Sequence, residues 1–196
     1  MKIRLIYILA AFAVVTIILP AAAKTANHLP ADTTKNLYQM PGNPYQALPA
    51  NVNRLFYVQR TPNANTIVYE LNAGENGQPD AEQPVHAYWI RYTEGGKKDE
   101  LNFIQRKFAY GLTSKPLGNG KYDIRFVSYK KFPLTLMKAA DGKYHIFATI
   151  SQRQFIVNRI FVRIEGGSFW VPNVRFVEFK GTDPTTGKEV TERFKP

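Results

Sequence analysis

Apolar and polar residues alternate along most of the chain after residue 53, and a period of two is typical of β-strands. Between residues 66 and 72, for example, Ile67, Tyr69 and Leu71 share one face, and Thr66, Glu70 and Asn72 share the other. This pattern indicates an antiparallel sheet with one solvated face. It predicts about nine strands, at residues 54–60, 66–72, 85–93, 121–131, 134–139, 144–147, 154–164, 174–180 and 188–194. Residues 113–120, which contain Pro116, Gly118, Asn119 and Gly120, are predicted to form a loop.

The period changes in one place, where apolar residues recur at spacings of three and four: Leu101, Ile104, Phe108 and Leu112. That spacing predicts a helix over residues 99–110, with Asp99 as its N-cap and Gly111 as its C-cap. We expect this apolar stripe to pack on the sheet. Short links between strands favour antiparallel neighbours. The predicted fold is therefore mainly β: a single-domain antiparallel β-sandwich, or a barrel-like curled sheet, with one α-helix packed on it.

The first 23 residues have the pattern of an export signal. Lys2 and Arg4 precede an apolar run over residues 5–19, and residues 21–23 offer a small-residue cleavage site. We therefore expect a periplasmic or secreted protein with no transmembrane span after cleavage. An uncleaved membrane anchor is the alternative, although Pro20 shortens the run below the roughly 18 apolar residues that a span needs.

Residues 24–53 contain Pro30, Pro41, Pro44 and Pro49, which disfavour both helix and sheet. This segment is predicted to be a leader, either a tether or a strap lying over the domain. Four apolar residues are candidates for holding a strap in place: Tyr38, Met40, Tyr45 and Leu48. The domain itself is predicted to span residues 54–196.

Charge and cysteine content narrow the ligand classes. The chain contains no cysteine, so neither disulfides nor thiol chemistry is available to it. Its formal net charge is +11, and without Lys2 and Arg4 the 26 basic residues fall to 24 against 15 acidic ones, a net charge of +9. Such a surplus favours anionic partners. Export disfavours nucleic acid among them.

The sequence offers little support for catalysis. It has no Gly-x-Ser-x-Gly motif, and its three histidines, His28, His86 and His145, lie too far apart in sequence to form a metal-binding motif. We expect no metal site and no cofactor. Acidic residues do flank the strand predicted at residues 85–93: Asp80, Glu82, Glu94, Asp99 and Glu100. Two of them in a cleft would suit a hydrolase of envelope polymers.

Basic and aromatic residues form two candidate binding clusters. In the strand predicted at 154–164, a regular alternation places Arg153, Phe155, Arg159, Phe161 and Arg163 on one face, opposite Ile156, Ile160, Val162 and Ile164. Arginine pairs with carboxylate or phosphate through two parallel hydrogen bonds, and aromatic rings stack on flat ligands. The second cluster comprises Trp89, Arg91, Arg106 and Tyr110, which we expect to line a groove between the helix and the sheet. Solvated arginines covering apolar surface are the alternative for both clusters.

Three sequence blocks carry a family resemblance: NRLFYVQRTPNANTIVYELN at residues 53–72, PVHAYWIRY at 84–92 and IQRKFAYG at 104–111. In these blocks the chain resembles a family of exported bacterial domains whose function is unassigned. The resemblance covers residue 53 to the C-terminal strands. It implies an envelope protein of a Gram-negative bacterium, and it transfers no site residues.

Together these observations lead to one main hypothesis and two alternatives. The main hypothesis is a non-catalytic envelope domain that binds or scaffolds through a basic and aromatic surface. Its ligand would be an anionic glycan, a lipid head group or an envelope protein. The first alternative is a carrier that encloses an apolar ligand within a barrel-like interior, and the second is the hydrolase that uses loop carboxylates.

Overall fold

The computed structural model describes residue 48, residues 51–167 and residues 172–196 of the chain. The predicted signal peptide and nearly all of the predicted leader lie outside the described residues. The strands are β1 Arg54–Arg60, β2 Thr66–Leu71, β3 Val85–Arg91, β4 Lys97–Glu100, β5 Leu112–Gly118, β6 Lys121–Phe126, β7 Tyr129–Lys138, β8 Tyr144–Ile150, β9 Arg153–Gly167, β10 Pro172–Thr182 and β11 Glu189–Phe194. One helix, α1, spans Phe103–Phe108.

All the described strands belong to one sheet, which is curled into a half-barrel. The main path runs β4-β3-β2-β1-β9-β8-β7-β6-β5, and β10 and β11 extend it from the other edge of β9. The 15-residue β9 organises this arrangement because two strands share one of its edges. Its first residues pair with β8, its later residues pair with β1, and β10 runs along its opposite edge. The predicted mainly β, single-domain fold with one helix is confirmed.

One strand pair departs from the antiparallel expectation. β1 runs parallel to β9, with Val58 opposite Ile160 and Arg60 opposite Val162. Parallel neighbours need a long connection, and here nearly the whole domain lies between them. Pairing between segments about 100 residues apart is set by the tertiary fold and leaves no local signal in the sequence.

The core lies inside the curl, between the strands on the two sides of β9. Phe56 and Tyr69 stack there with ring centroids 4.4 Å apart, and Phe126 meets both rings edge-on. The Tyr69 hydroxyl donates to the backbone carbonyl of Tyr110 at 2.8 Å. Burial raises the pKa of the Tyr69 phenol well above its usual value. The two sides of the curl are thus joined by aromatic packing that is tied to the chain after α1.

The helix is shorter than predicted and faces the other way. Its N-cap is Asn102, which forms a capping box with Gln105, and its C-cap is Ala109. Asp99 and Gly111 are therefore not the caps. Asp99 lies in β4, opposite Trp89. The expected packing of the apolar stripe on the sheet was also wrong, because Leu101 is buried whereas Ile104 and Phe108 are exposed.

Two local predictions also need correction. Residues 112–118, which were expected to lie mostly in a loop, form the edge strand β5. Pro116 is tolerated there because one edge of β5 forms no hydrogen bonds with another strand of the sheet. The hairpin predicted at Asp141 and Gly142 is confirmed, but only Gly142 of this pair has a positive φ, at 76°. The turn is therefore a longer loop with one left-handed residue rather than the two-residue type I′ turn.

Leu48 is the one residue predicted to pin the leader that the structure describes. It packs against a small cluster on the outer face of the sheet, formed by Val68, Tyr88 and Ile90. These three side chains point away from the main core, and each is at most 9% exposed. Tyr38, Met40 and Tyr45 lie outside the described residues. Among the described residues, no helix is long and apolar enough to cross a membrane.

Candidate functional site

A bulge in β9 determines which of its side chains reach the surface. Along β10, Lys180 and Gly181 are adjacent, but their partners on β9 are Arg159 and Val157, so β9 carries one extra residue at Asn158. The extra residue reverses the faces. Phe155 and Val157 are buried before the extra residue, and Ile160 and Val162 are buried after it.

The single face predicted for Arg153, Phe155, Arg159, Phe161 and Arg163 is therefore wrong. Phe155 is fully buried in the core, whereas Arg159, Phe161 and Arg163 lie beyond the bulge on the outer face. Arg153 lies before the bulge, at the start of β9. An alternation read from sequence cannot reveal a bulge, because the extra residue appears only in the pairing with β10.

Beyond the bulge, the outer face presents a row of four side chains, one from each of four neighbouring strands. Tyr57 on β1 is opposite Arg159 on β9, Arg159 is opposite Lys180 on β10, and Lys180 is opposite Thr191 on β11. We call these four residues the outer basic row. They line an open groove of about 260 Å³, into which Glu189 also faces.

Arg159 is held in place within this row. Its Nε donates to Oε1 of Gln59 at 2.8 Å, and Nε2 of Gln59 donates to Oγ1 of Thr66 at 3.0 Å. Gln59 is only 2% exposed, so its amide is a fixed acceptor. The guanidinium carbon also lies 5.0 Å from the centroid of the Phe161 ring. These contacts orient the guanidinium before any ligand arrives.

Lys180 places a second cation directly beside Arg159. Like charges on directly opposite strand positions are destabilising. Among the described residues, no carboxylate lies within 4.0 Å of the Lys180 ammonium. The pair therefore favours an anion that bridges both groups, since charge-assisted hydrogen bonds from each would offset the repulsion.

In the neighbouring row of side chains on the same face, the charges of Glu178 and Arg193 neutralise each other. Glu178, on the same face as Phe161, is 8% exposed and accepts from Nη2 of Arg193 at 2.6 Å. The guanidinium of Arg193 also lies 4.1 Å from the centroid of Phe176. This second row therefore combines aromatic surface with a balanced ion pair.

The other two predicted arginines of β9 form ion pairs. Arg153 donates to Asp183 at 3.3 Å, and Arg163 donates to Glu165 at 2.9 Å. Asp183 also accepts from the backbone amides of Thr185 and Thr186. Those backbone hydrogen bonds, more than the arginine, lower the pKa of Asp183 to about 2. Arg153 thus lies at the β10–β11 turn, apart from the outer basic row.

The second predicted cluster is brought together only in part. The indole of Trp89 meets the ring of Tyr110 edge-on at 4.9 Å, and both side chains are buried in the core. Burial raises the pKa of Tyr110, and the nearby Arg60 guanidinium, which hydrogen-bonds it, opposes that rise. Arg91 pairs with Asp99 at 2.7 Å. These contacts make Trp89, Tyr110 and Arg91 parts of the packing rather than the lining of a groove.

A cleft does exist where the helix meets the sheet, and of the four predicted residues it contains Arg106 alone. Its volume is about 90 Å³. Nη2 of Arg106 donates to the backbone carbonyl of Leu101 at 2.9 Å. The side chain therefore folds back on the start of the helix, and it lines the cleft from there.

The comparisons with known proteins identify a family without an assigned activity. A family model described as a domain of unknown function, DUF4833, matches residues 56–193. The chain belongs to this family. No curated protein and no solved structure matches the chain. The DUF4833 match includes every residue of the outer basic row and all seven residues predicted from sequence to bind a ligand.

Three of the acidic residues of the DUF4833 domain that suggested a hydrolase take part in local structure. Asp80 accepts from the backbone amides of Glu82 and Gln83, Glu100 accepts from His86 at 2.9 Å, and Asp99 pairs with Arg91. Among the described residues, no group of three or more histidine, aspartate or glutamate side chains is placed to hold a metal ion.

Sequence reasoning missed the residues that shape the row in the DUF4833 domain. Tyr57, Gln59 and Thr66 lie in the first two strands, far in sequence from Arg159. No local motif links them, because the connection is the parallel pairing of β1 with β9. Gln59, directly after the apolar run over residues 55–58, is the one available signal, since a buried amide needs a partner.

Proposed function

We propose that this protein is a non-catalytic binding domain of the Gram-negative envelope, and that its outer basic row holds the acidic group of an anionic glycan. The observation that carries the proposal is the direct pairing of Lys180 with Arg159, whose guanidinium Gln59 orients. A carboxylate or phosphate between them would receive hydrogen bonds from both cations. Pre-orientation lowers the entropy that binding must otherwise cost.

The neighbouring rings favour a sugar as the carrier of that acidic group. Tyr57 and Phe161 flank Arg159 on the same face, and both are partly exposed. An aromatic ring with an apolar face and a polar edge suits a sugar ring, which also has apolar C–H faces and polar hydroxyl groups. Lipid head groups and protein partners remain as competing outcomes of the test.

An enclosed apolar ligand is less well supported by the geometry. The interior of the curl is filled by buried side chains, among them Phe56, Tyr69 and Phe155. An apolar groove between Val58, Phe132 and Phe179 has a volume of about 60 Å³. Ligand pockets usually measure roughly 300–1,000 Å³. Surface binding therefore fits the described residues better than the carrier hypothesis.

The location in the envelope rests on the predicted signal peptide, which lies outside the described residues. Its test is direct. Cell fractionation followed by N-terminal sequencing should find the protein in the periplasm or the medium, with Lys24 as its first residue. A protein that keeps Met1, or that stays inside the cell, would remove the envelope part of the proposal and leave the anion site to be judged separately.

The binding proposal is tested by titrating oligogalacturonate against neutral oligogalactose, which has the same ring but no carboxylate. We expect binding of the acidic oligomer alone, weakening as salt rises. Arg159→Gln and Lys180→Gln should each lower the affinity roughly tenfold or more, the size of one lost charge-assisted bond. Lys115→Gln on the edge strand β5 changes the net charge equally and should bind as the wild type does.

Four results would overturn the glycan proposal. Equal binding of the neutral oligomer would show that the carboxylate is not recognised. Equal losses in Lys115→Gln would show that net charge alone is responsible. If inorganic phosphate or phospholipid vesicles bound to Arg159 and Lys180 while the oligomers did not, the ligand of this site would be a phosphate group rather than a glycan carboxylate. Binding to none of these probes would remove the anion site.

A further inference from the structure

Helix α1 presents its apolar residues to solvent, whereas Gln105 faces the protein. At 100° per residue, Phe103, Lys107, Ile104 and Phe108 occupy one continuous face. On the other side, Gln105 accepts from the Trp89 indole nitrogen at 3.3 Å, and Arg106 binds the Leu101 carbonyl. This orientation is the reverse of a helix that packs by its apolar face.

The exposed part of this face is large for six residues. Phe103 is 71% exposed, Ile104 is 62% exposed and Phe108 is 52% exposed. Together they leave on the order of 350 Å² of apolar side chain in contact with water. The largest apolar patch on a typical monomeric protein measures about 300–600 Å² and is often functional, and these three side chains together reach that range. We call these three residues, with Lys107 between them, the α1 patch.

Lys107 gives the α1 patch a charge as well as an apolar surface. Its ammonium lies 5.3 Å from the centroid of Phe103 and 5.5 Å from that of Phe108. The helix carries a second cation, Arg106, and contains no acidic residue. The partner of this surface must therefore accept bulky apolar groups and, within a few ångströms of them, a positive charge.

We propose that the α1 patch inserts into the interfacial layer of an anionic phospholipid bilayer. The two rings and Ile104 would enter the boundary between head groups and acyl chains, while Lys107 would remain at the level of the phosphates. A second copy of the chain fits less well for two reasons. A stable protein interface needs about 800 Å² on each partner, roughly twice what the patch offers, and two copies would bring two Lys107 side chains together.

This surface is separate from the outer basic row. The row lies on β1, β9, β10 and β11, whereas α1 follows β4 at the far end of the sheet path. The two proposals therefore stand or fall independently. If both hold, α1 would keep the domain at a membrane surface while the row holds a glycan.

Because the chain has no cysteine, a single introduced thiol can report on the patch. Ile104→Cys is labelled with a polarity-sensitive dye in the full chain, and Thr185→Cys, exposed in the β10–β11 turn, serves as its matched control. We expect the dye at residue 104 to shift to the blue with vesicles of phosphatidylcholine and phosphatidylglycerol in equal parts. The dye at residue 185 should not shift.

Substitutions then separate the apolar and charged contributions in co-sedimentation with the same vesicles. Phe103→Ser combined with Phe108→Ser should lower the bound fraction at least tenfold while leaving the melting temperature unchanged, because both side chains are exposed. Lys107→Gln should weaken binding about fivefold, the effect of one cation near an anionic surface. Lys115→Gln should leave it unchanged.

Several results would overturn the proposal. Vesicle binding without a shift at residue 104 would place the contact elsewhere, for example in residues 1–23. A shift that needs only higher protein concentration would indicate self-association. If neutral vesicles shifted the dye as strongly as anionic ones, the patch would not recognise anionic lipid. The same conclusion would follow if the Lys107→Gln variant bound as well as the wild type.

Discussion

Arg159 donates a hydrogen bond from Nε to Oε1 of Gln59 across the parallel pair of β1 and β9, at 2.8 Å. Gln59 in turn donates to Thr66, so a buried amide fixes a cation at the surface. A cation that a buried amide holds in one orientation presents a defined face to a ligand, whereas a mobile cation must lose its rotational freedom on binding. This relationship makes the outer basic row more than a charged surface.

Gln59→Met should impair both stability and binding. Methionine has a similar volume but removes both the hydrogen bond to Thr66 and the one that Arg159 donates to Gln59, so we expect a loss of about 1–3 kcal/mol in the free energy of unfolding. The affinity for an anionic oligomer should also fall. Urea denaturation and titration of the ligand measure the two effects. Unchanged affinity in a stable Met variant would show that Gln59 does not position Arg159.

Gln59→Glu separates positioning from charge. Its carboxylate can still accept from Arg159, so the guanidinium stays in place, but the added negative charge offsets the cation. We expect weaker anion binding in this variant even though the Arg159 contact persists. Anion binding as strong as in the wild type would contradict the role of charge at this position.

Gly181→Ala should disturb the β9–β10 pairing beside the bulge. A Cβ at this position would lie 2.0 Å from the carbonyl oxygen of Ile156 and 2.6 Å from Cδ2 of Phe155. Because one of these contacts is with backbone, the strands must separate, at a cost of about 1–3 kcal/mol or more. Urea denaturation should show a lower midpoint. The control Gly74→Ala, whose nearest contact is an ordinary 3.4 Å, should be nearly neutral.

Asp183 should contribute to stability in a defined range of pH. Backbone hydrogen bonds lower its pKa from 3.8 to about 2 in the folded protein. A lowered folded pKa means that its contribution is complete above about pH 4 and is lost as the pH falls towards 2. Asp183→Asn should therefore lower the melting temperature above pH 4, and the difference from the wild type should shrink towards pH 2. A difference that stays constant with pH would contradict this assignment.

Asn102→Ala should loosen α1 without unfolding the sheet. Asn102 accepts from the backbone amide of Gln105 at 2.9 Å, and the Gln105 side chain accepts from the backbone amide of Asn102 at 3.1 Å. Loss of such a cap costs about 0.5–2 kcal/mol. Hydrogen exchange should accelerate at the α1 amides and stay unchanged in β1 and β2. Equal acceleration throughout would show that α1 is part of the global unfolding unit.

Local patterns predicted much of the fold. The bounds of β1 were predicted to the residue, and β2, β3, β8 and β11 were predicted to within three residues at each end, because strands with one buried face keep a period of two. The helix was placed correctly but was predicted too long and facing the wrong way. Its stripe of Leu101, Ile104 and Phe108 has helical spacing, and spacing does not say whether a protein core or another partner covers a face.

The candidate site was predicted in part. Arg159 was identified from its strand, but Arg153 was grouped with it because a regular alternation was assumed across Asn158. Trp89 and Tyr110 were expected in a groove and lie in the core instead. Side-chain type suggested chemistry at these positions, and burial then decided which side chains a ligand can reach.

The sequence by itself determined the class: alternating apolar positions, short links and one helical segment predict either an antiparallel β-sandwich or a barrel-like curled sheet with one helix. Only the tertiary structure decided that β1 lies parallel to β9, that a bulge at Asn158 turns Arg159 outward, and that Lys180 and Gln59 meet it there. The physical reason is that strand periodicity is local, whereas pairing between distant segments and a single extra residue depend on the whole packed chain. A local pattern contains no information about either.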